Sequence, residues 1–172
     1  MIERHFLDDS IFQLRKLKSQ ADKAIAQIDD RQFFELIDPD ANSIAIIMKH
    51  VAGNMRSRWT DFLTTDGEKP DRNRDAEFER EGGDTRHEIV ARWEESWRLL
   101  LDTIASLQPG DLGRTVTVRG EPHTVVQAIN RQVSHYSAHV GQIVLLAKHF
   151  AGTNWQTLSM PKRKLPVQGS GC

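Results

Sequence analysis

Cysteine is nearly absent from this 172-residue chain: the one that occurs, Cys172, closes a Gly/Ser-containing tail. It can form no internal disulfide and lies far in sequence from every other candidate group, so it is given no role. Also missing is any apolar run approaching the roughly 18 residues of a membrane span. The opening Met1-Ile2-Glu3-Arg4-His5-Phe6 is too polar to begin a secretory signal peptide. Both absences predict a cytoplasmic protein with no membrane association. Neither sign of charge is in surplus, with 23 Lys and Arg against 24 Asp and Glu and a formal charge of -1. A general attraction to nucleic acid or to anionic lipid is therefore not expected, and the partner is small or proteinaceous. Ser134 and Ser137 do not sit in a Gly-x-Ser-x-Gly nucleophile elbow, which argues against a serine hydrolase. There is no internal repeat of about 20 to 50 residues, and no low-complexity block precedes the tail Pro161-Lys162-Arg163-Lys164.

What is present is helical periodicity. Residues 2–29 carry Leu7, Ile11, Leu14, Ala21, Ile25 and Ile28 at three- and four-residue steps, with Lys18 interrupting the stripe. After the Asp38-Pro39-Asp40 turn, Asn42 or Ser43 caps a second helix running to about Leu63, with Ile44, Ile47, Met48, Val51, Met55 and Phe62 inward. Residues 64–84 are polar, with charge, Gly and Pro but little to bury, and read as a long loop of the kind that often carries function. Thr85-Arg86-His87-Glu88 is a capping box for a third helix, which Pro109-Gly110 ends. The period then changes to two. Thr115-Val116-Thr117-Val118, an Arg119-Gly120 turn and Glu121-Pro122-His123-Thr124 predict a short hairpin, with Pro122 on an edge strand. Thr124 and Gln127 open a fourth helix that reaches Phe150, and Gly152 stops it. The expected fold is all-α, a four-helix bundle with a β-hairpin before its last helix. The long connections leave room for one or two crossovers.

The last helix holds His135 and His139, four apart and therefore on one face, one turn from each other, where two imidazoles can converge on one ion. On a helical wheel Val126, Val133, Val140 and Val144 fall to one side, and Ala128, His135, His139, Gln142 and Leu146 to roughly the other. This helix thus has two faces that do not look solvated. His50, on the flank of the second helix with Ile47 and Asn54, is the candidate third ligand. The same spacing also suits two exposed or hydrogen-bonded helix residues, and spacing alone does not place His50 beside them.

Lys49-His50-Val51-Ala52-Gly53-Asn54, the hairpin, and His135-Tyr136-Ser137-Ala138-His139-Val140-Gly141-Gln142-Ile143 together resemble the DinB/YfiT-like superfamily of metalloenzymes. The resemblance covers about residues 1–155, which would form one domain and leave 156–172 as a flexible tail. It implies a four-helix bundle, usually dimeric, in which His50, His135 and His139 bind a divalent ion such as zinc or nickel. Three neutral nitrogen ligands would leave a position open for water or substrate. A metal-activated water or a metal-bound thiol would then serve hydrolysis or S-transfer on a small molecule. Some members of the superfamily use a low-molecular-weight thiol. With no cysteine near the site, that thiol would come from outside the chain. The rival reading is a non-catalytic dimeric scaffold or binding module whose histidine cluster is structural or vestigial.

Four further residues are candidates for supporting the site. Asn54 would orient a ligand or a water, Arg58 and Arg131 would meet an anionic substrate, and Gln142 would back His139; against these stand a backbone-bonded Asn54, an ordinary interhelical hydrogen bond for Gln142 and, as the favoured reading for both arginines, a solvated surface side chain. His123 reads as a turn residue, and His5, His87 and His149 as surface residues. Trp59, Trp93, Trp97 and Trp155 read as packing, with Trp59 a candidate pocket wall.

Overall fold

The structure, a computed structural model, describes residues 1–160. Cys172 and the basic run from Pro161 to Lys164 lie outside the described residues. Among the described residues five α-helices and one hairpin follow in order: α1 Ile2–Ile25, α2 Asp30–Phe34, α3 Ile44–Trp59, α4 Arg86–Ser106, β1 Thr115–Val118, β2 Glu121–Thr124 and α5 Val125–Ala151. Four are long and form the bundle, as the periodicity predicts. None of the helices among the described residues is long and apolar enough to cross a membrane.

The helix starts are written in short polar signals. The Ser43 hydroxyl accepts the Ile46 amide at the head of α3, and reciprocal capping boxes pair Thr85 with Glu88 and Thr124 with Gln127 at the heads of α4 and α5. Two ends fall short of expectation. α1 stops at Ile25, because Asp29 and Gln32 form a further capping box that opens the short α2, whose Phe33 is buried. α3 stops at Trp59, since Thr60 turns extended and Asp61 takes a φ of 49°, although Phe62 still packs inward.

In the bundle α3 packs mainly on α4 and α1 mainly on α5, while α1 touches α4 and α3 touches α5 more sparingly. Successive long helices α1 and α3 therefore lie across a diagonal, as do α4 and α5. The segments that make these crossings are 26–43, with α2, and 107–124, with the hairpin; the long loop after α3 joins neighbours. Lys18, the break in the α1 stripe, reaches Asp22 at 2.6 Å and crosses to Glu94 on α4 at 2.7 Å.

The core is filled by large side chains at the predicted helical steps, including Leu7, Leu14, Met48, Met55, Trp93, Trp97 and Leu100. The wheel drawn for α5 needs correction. Its inward stripe runs through Val125, Ile129, Gln132, Tyr136, Val140, Ile143 and Ala147, whereas Val126, Val133 and Val144 are half-buried flanks. Tyr136 sets this orientation. It is fully enclosed, accepts the Trp59 indole N–H at 3.1 Å and donates to Asn54 Oδ1 at 3.1 Å, so three buried polar groups satisfy one another. Trp59 is consequently a core residue and not a pocket wall.

The hairpin pairs Thr115 with Thr124 and Val118 with Glu121 around a tight turn in which both Arg119 and Gly120 take positive φ, 57° and 76°. An arginine is unusual there. Both turn amides donate to the Asp66 carboxylate, at 2.8 and 2.7 Å, and Gly67 N–H donates to Thr117 O at 2.8 Å. The long loop is thereby fastened to the hairpin. It is fastened to α3 as well, through Ser57 Oγ to Gly67 O at 2.8 Å and Lys49 Nζ to Asp84 at 2.7 Å. A loop that reads as having little to bury in fact buries the side chains of Arg72 and Glu77. Beyond α5, Gln156 exchanges two hydrogen bonds with Gln27, just past the end of α1.

Candidate metal centre

His50 sits mid-helix on α3, buried, and His135 and His139 sit half-buried on successive turns of α5. α3 and α5 bring the three together: His50 lies 5.5 Å from His135 and 5.0 Å from His139, ring centre to ring centre. One nitrogen from each ring falls within 4.8 Å of the others, and the Nε2 atoms of His135 and His139 are 3.1 Å apart. Nitrogens bound tetrahedrally to one zinc ion at about 2.0–2.1 Å sit roughly 3.3 Å from each other, so the α5 pair is already at coordinating distance.

The far nitrogens are held by partners. His50 Nδ1–H donates to Glu77 Oε2 at 2.9 Å, and His139 Nδ1–H donates to Gln142 Oε1 at 2.8 Å. Each contact fixes the ring's tautomer so that the Nε2 lone pair faces the other histidines. Glu77 is held in turn by Arg72, whose Nε and Nη2 both donate to its carboxylate at 2.8 Å. The Phe78 ring packs on His50 at 4.6 Å.

Gly53, three residues beyond His50, explains how Glu77 gets there. A Cβ at Gly53 would overlap the Glu77 carboxylate, so the glycine leaves a notch in α3 that the carboxylate fills.

The electrostatics favour the neutral form of the two α5 histidines. Burial pushes the His135 imidazole down to about 4, helped by the positive potential of the other two histidines and of Arg58 and Arg72. Burial likewise lowers His139, with Gln142 working the other way. Burial alone would raise the Glu77 carboxyl, but hydrogen bonds from His50 and Arg72 outweigh it and lower the group below its ordinary value. Three imidazoles backed by one carboxylate fit a divalent ion with nitrogen preference.

The remaining predicted residues divide. Gln142 does back His139. Asn54 is buried, but its oxygen is occupied by Tyr136. Arg58 is buried, and Arg131 is exposed at the rim; both line a cavity of about 480 Å³ that opens on His50 and His135. His5, His87 and His149 are exposed, and His123 is half-buried in the hairpin. A larger cavity of about 600 Å³ lies between α3, α4 and the loop, on the Gly53 side of Glu77, and has none of the three histidines in its wall.

Glu77 and Arg72 escaped the sequence reading. They stand among many loop charges, and their neighbours in sequence carry no sign of the helix they dock against. The one available signal was Gly53, a glycine inside an otherwise regular helix next to a candidate ligand.

A model of the family described as "Protein of unknown function (DUF1572)" matches residues 1–164. No curated protein matches the chain.

Proposed function

The chain belongs to the DUF1572 family, and from that membership and the convergent histidines we propose that it is a divalent-metal-dependent enzyme acting on a small molecule. The observation that carries the proposal is the arrangement at His50. A buried carboxylate, itself clamped by Arg72, holds the Nδ1 proton and aims Nε2 at His135 and His139, which is how metal-binding histidines are oriented. The resemblance to the DinB/YfiT-like superfamily agrees with this assignment and favours zinc or nickel.

When bound, such an ion supplies a Lewis acid with an open position, able to acidify a water for hydrolysis or an external thiol for S-transfer. The residues of the chain do the rest. His50, His135 and His139 hold the ion, and Glu77 and Gln142 fix the rings. The cavity on the His50–His135 side admits a small molecule, which a closed structural site would not need. Tyr136, enclosed in the core and pushed to a higher pKa by burial, moves no proton. We assign the protein to the cytoplasm as a homodimer. Phe12 on α1 and Leu145 on α5, 61% and 67% exposed on adjacent helices, supply apolar surface for a second copy.

Metal analysis tests the assignment. Protein purified without chelator is expected to carry about one divalent ion per chain, and His135→Ala is expected to lose it. Full occupancy in that variant would refute the site.

A further inference from the structure

The cavity beside the histidines is lined mainly by arginines. Arg58, Arg72, Arg74, Arg119 and Arg131 all line it, and no Asp or Glu does. Two carboxylates behind the wall answer them at close range: Glu77 takes Arg72, and Glu68 is shared by Arg58, Arg72 and Arg119 at 3.2, 3.3 and 3.0 Å. Arg131 pairs with no acid among the described residues, and Arg74 reaches only the exposed Asp75 at 4.0 Å. Five cations against two close anions leave a concentrated positive surplus in a chain whose formal charge is -1.

Arg58 makes the surplus specific. It is 5% exposed, yet only its Nη2 finds an acceptor; Nε and Nη1 are buried with no hydrogen-bond partner among the described residues. A buried guanidinium with most of its donors unused carries a desolvation cost that an incoming acceptor would relieve. The loop is shaped to hold it there: a Cβ on Gly67 would stand 3.1 Å from Arg58 Cδ and 3.3 Å from Nη1.

We propose that this cavity binds the oxyanion group of the substrate, a carboxylate or a phosphate, with Arg58 as the buried anchor and Arg131 as the rim contact. The planar fork of an arginine matches two oxygens of either group, which suits it better than a lysine for this task. His50 and His135 form the adjoining wall, so an anion held on Arg58 places the rest of the molecule at the open position of the proposed metal centre. The substrate-positioning role thus rests on the metal reading, while anion binding itself does not.

Calorimetric titration of the full chain with inorganic phosphate and, separately, with succinate separates the two. Metal content is measured on every sample. Wild-type protein is expected to bind one or both probes, more weakly as salt is raised. Arg58→Gln is expected to lose about tenfold or more in affinity, the value of a charge-assisted pair, with metal content unchanged. Arg131→Gln, at an exposed position that leaves the fold intact, is expected to bind several-fold more weakly, and Arg56→Gln, outside this cavity, as wild type. Preference for phosphate or for succinate identifies the oxyanion. Binding that persists in a histidine variant devoid of metal still supports the anion site and tells against a direct metal–anion contact. No binding of either probe at millimolar concentration, or equal binding by wild type, Arg58→Gln and Arg131→Gln, would overturn the proposal. Loss of metal from wild type with anion binding intact would instead overturn the metal reading alone.

Discussion

Replacing Glu77 by glutamine keeps the shape of the side chain and removes its charge, which isolates what the carboxylate does. In the wild type both of its oxygens are engaged, Oε2 by His50 Nδ1–H and Arg72 Nη2, Oε1 by Arg72 Nε. An amide has one oxygen and one NH2 group, so whichever way it is turned a donor opposes a donor. If the oxygen keeps His50, the NH2 faces Arg72 Nε; if it keeps Nε, the NH2 meets His50 and frees its tautomer. Loss of such a supporting contact weakens metal binding by about 10- to 100-fold, or roughly 1.4 to 2.8 kcal/mol. Stability suffers too. Breaking a fully buried pair costs about 3–5 kcal/mol, but Arg72 retains Glu68 at 3.3 Å, so about 2 kcal/mol is the reasonable expectation. Competition with a chromophoric chelator at a temperature where both proteins are folded reads the affinity, and thermal melts of metal-free protein read the stability. If Glu77→Gln binds metal as tightly as wild type while His135→Ala loses it, Glu77 does not orient His50 and the reasoning fails.

Gly53→Ala tests the same contact from the other side. An interior helix glycine normally gains up to about 1 kcal/mol on becoming alanine, but here the added methyl meets the Glu77 carboxylate, so both the melting temperature and the metal affinity are expected to fall; a rise in both would refute the notch. His135 governs the acid response. The unfolded ring takes its proton near pH 6.5 and the folded ring only near 4, so metal-free protein is fully stabilised above pH 6.5 and loses that contribution as the pH falls towards 4. Because the ring is only half buried the loss is on the order of 1–2 kcal/mol and not the full shift. Melting temperatures of chelator-treated protein at pH 7 and pH 5 measure it, and His135→Gln should flatten the slope; an unchanged slope would assign the effect elsewhere.

The elements of the bundle were legible because their signals are local. Ser43, Thr85 and Thr124 each announce a helix within four residues, and the alternation around Arg119-Gly120 announces the hairpin. The three histidines were legible as a set through a motif, and the resemblance placed them together. α2 was missed because Asp29 and Gln32 follow the α1 stripe so closely that the period appears to continue through Ile28. The α5 wheel was misdrawn for a different reason: four valines outweighed one tyrosine, yet Tyr136 is fully enclosed and carries a hydroxyl that Trp59 and Asn54 satisfy. Glu77 and Arg72 were illegible because a buried ion pair inside a polar loop has the same composition as a solvated one. Only the tertiary contact with α3 distinguishes them.

That loop ties the hairpin to the histidines by an unbroken run of charge. Asp66 accepts the two turn amides, Arg119 reaches back to Glu68, and Glu68 meets Arg58 and Arg72. Arg72 in turn clamps Glu77 against His50. Each link is short, and the inner ones are sheltered from solvent, so they are screened less than surface pairs. The helices therefore supply the three imidazoles, while the loop supplies the carboxylate that orients His50 and two of the five arginines that line the cavity. An oxyanion on the unused donors of Arg58 would share that guanidinium with Glu68, which holds Nη2, and Glu68 is one step from the Arg72–Glu77 clamp.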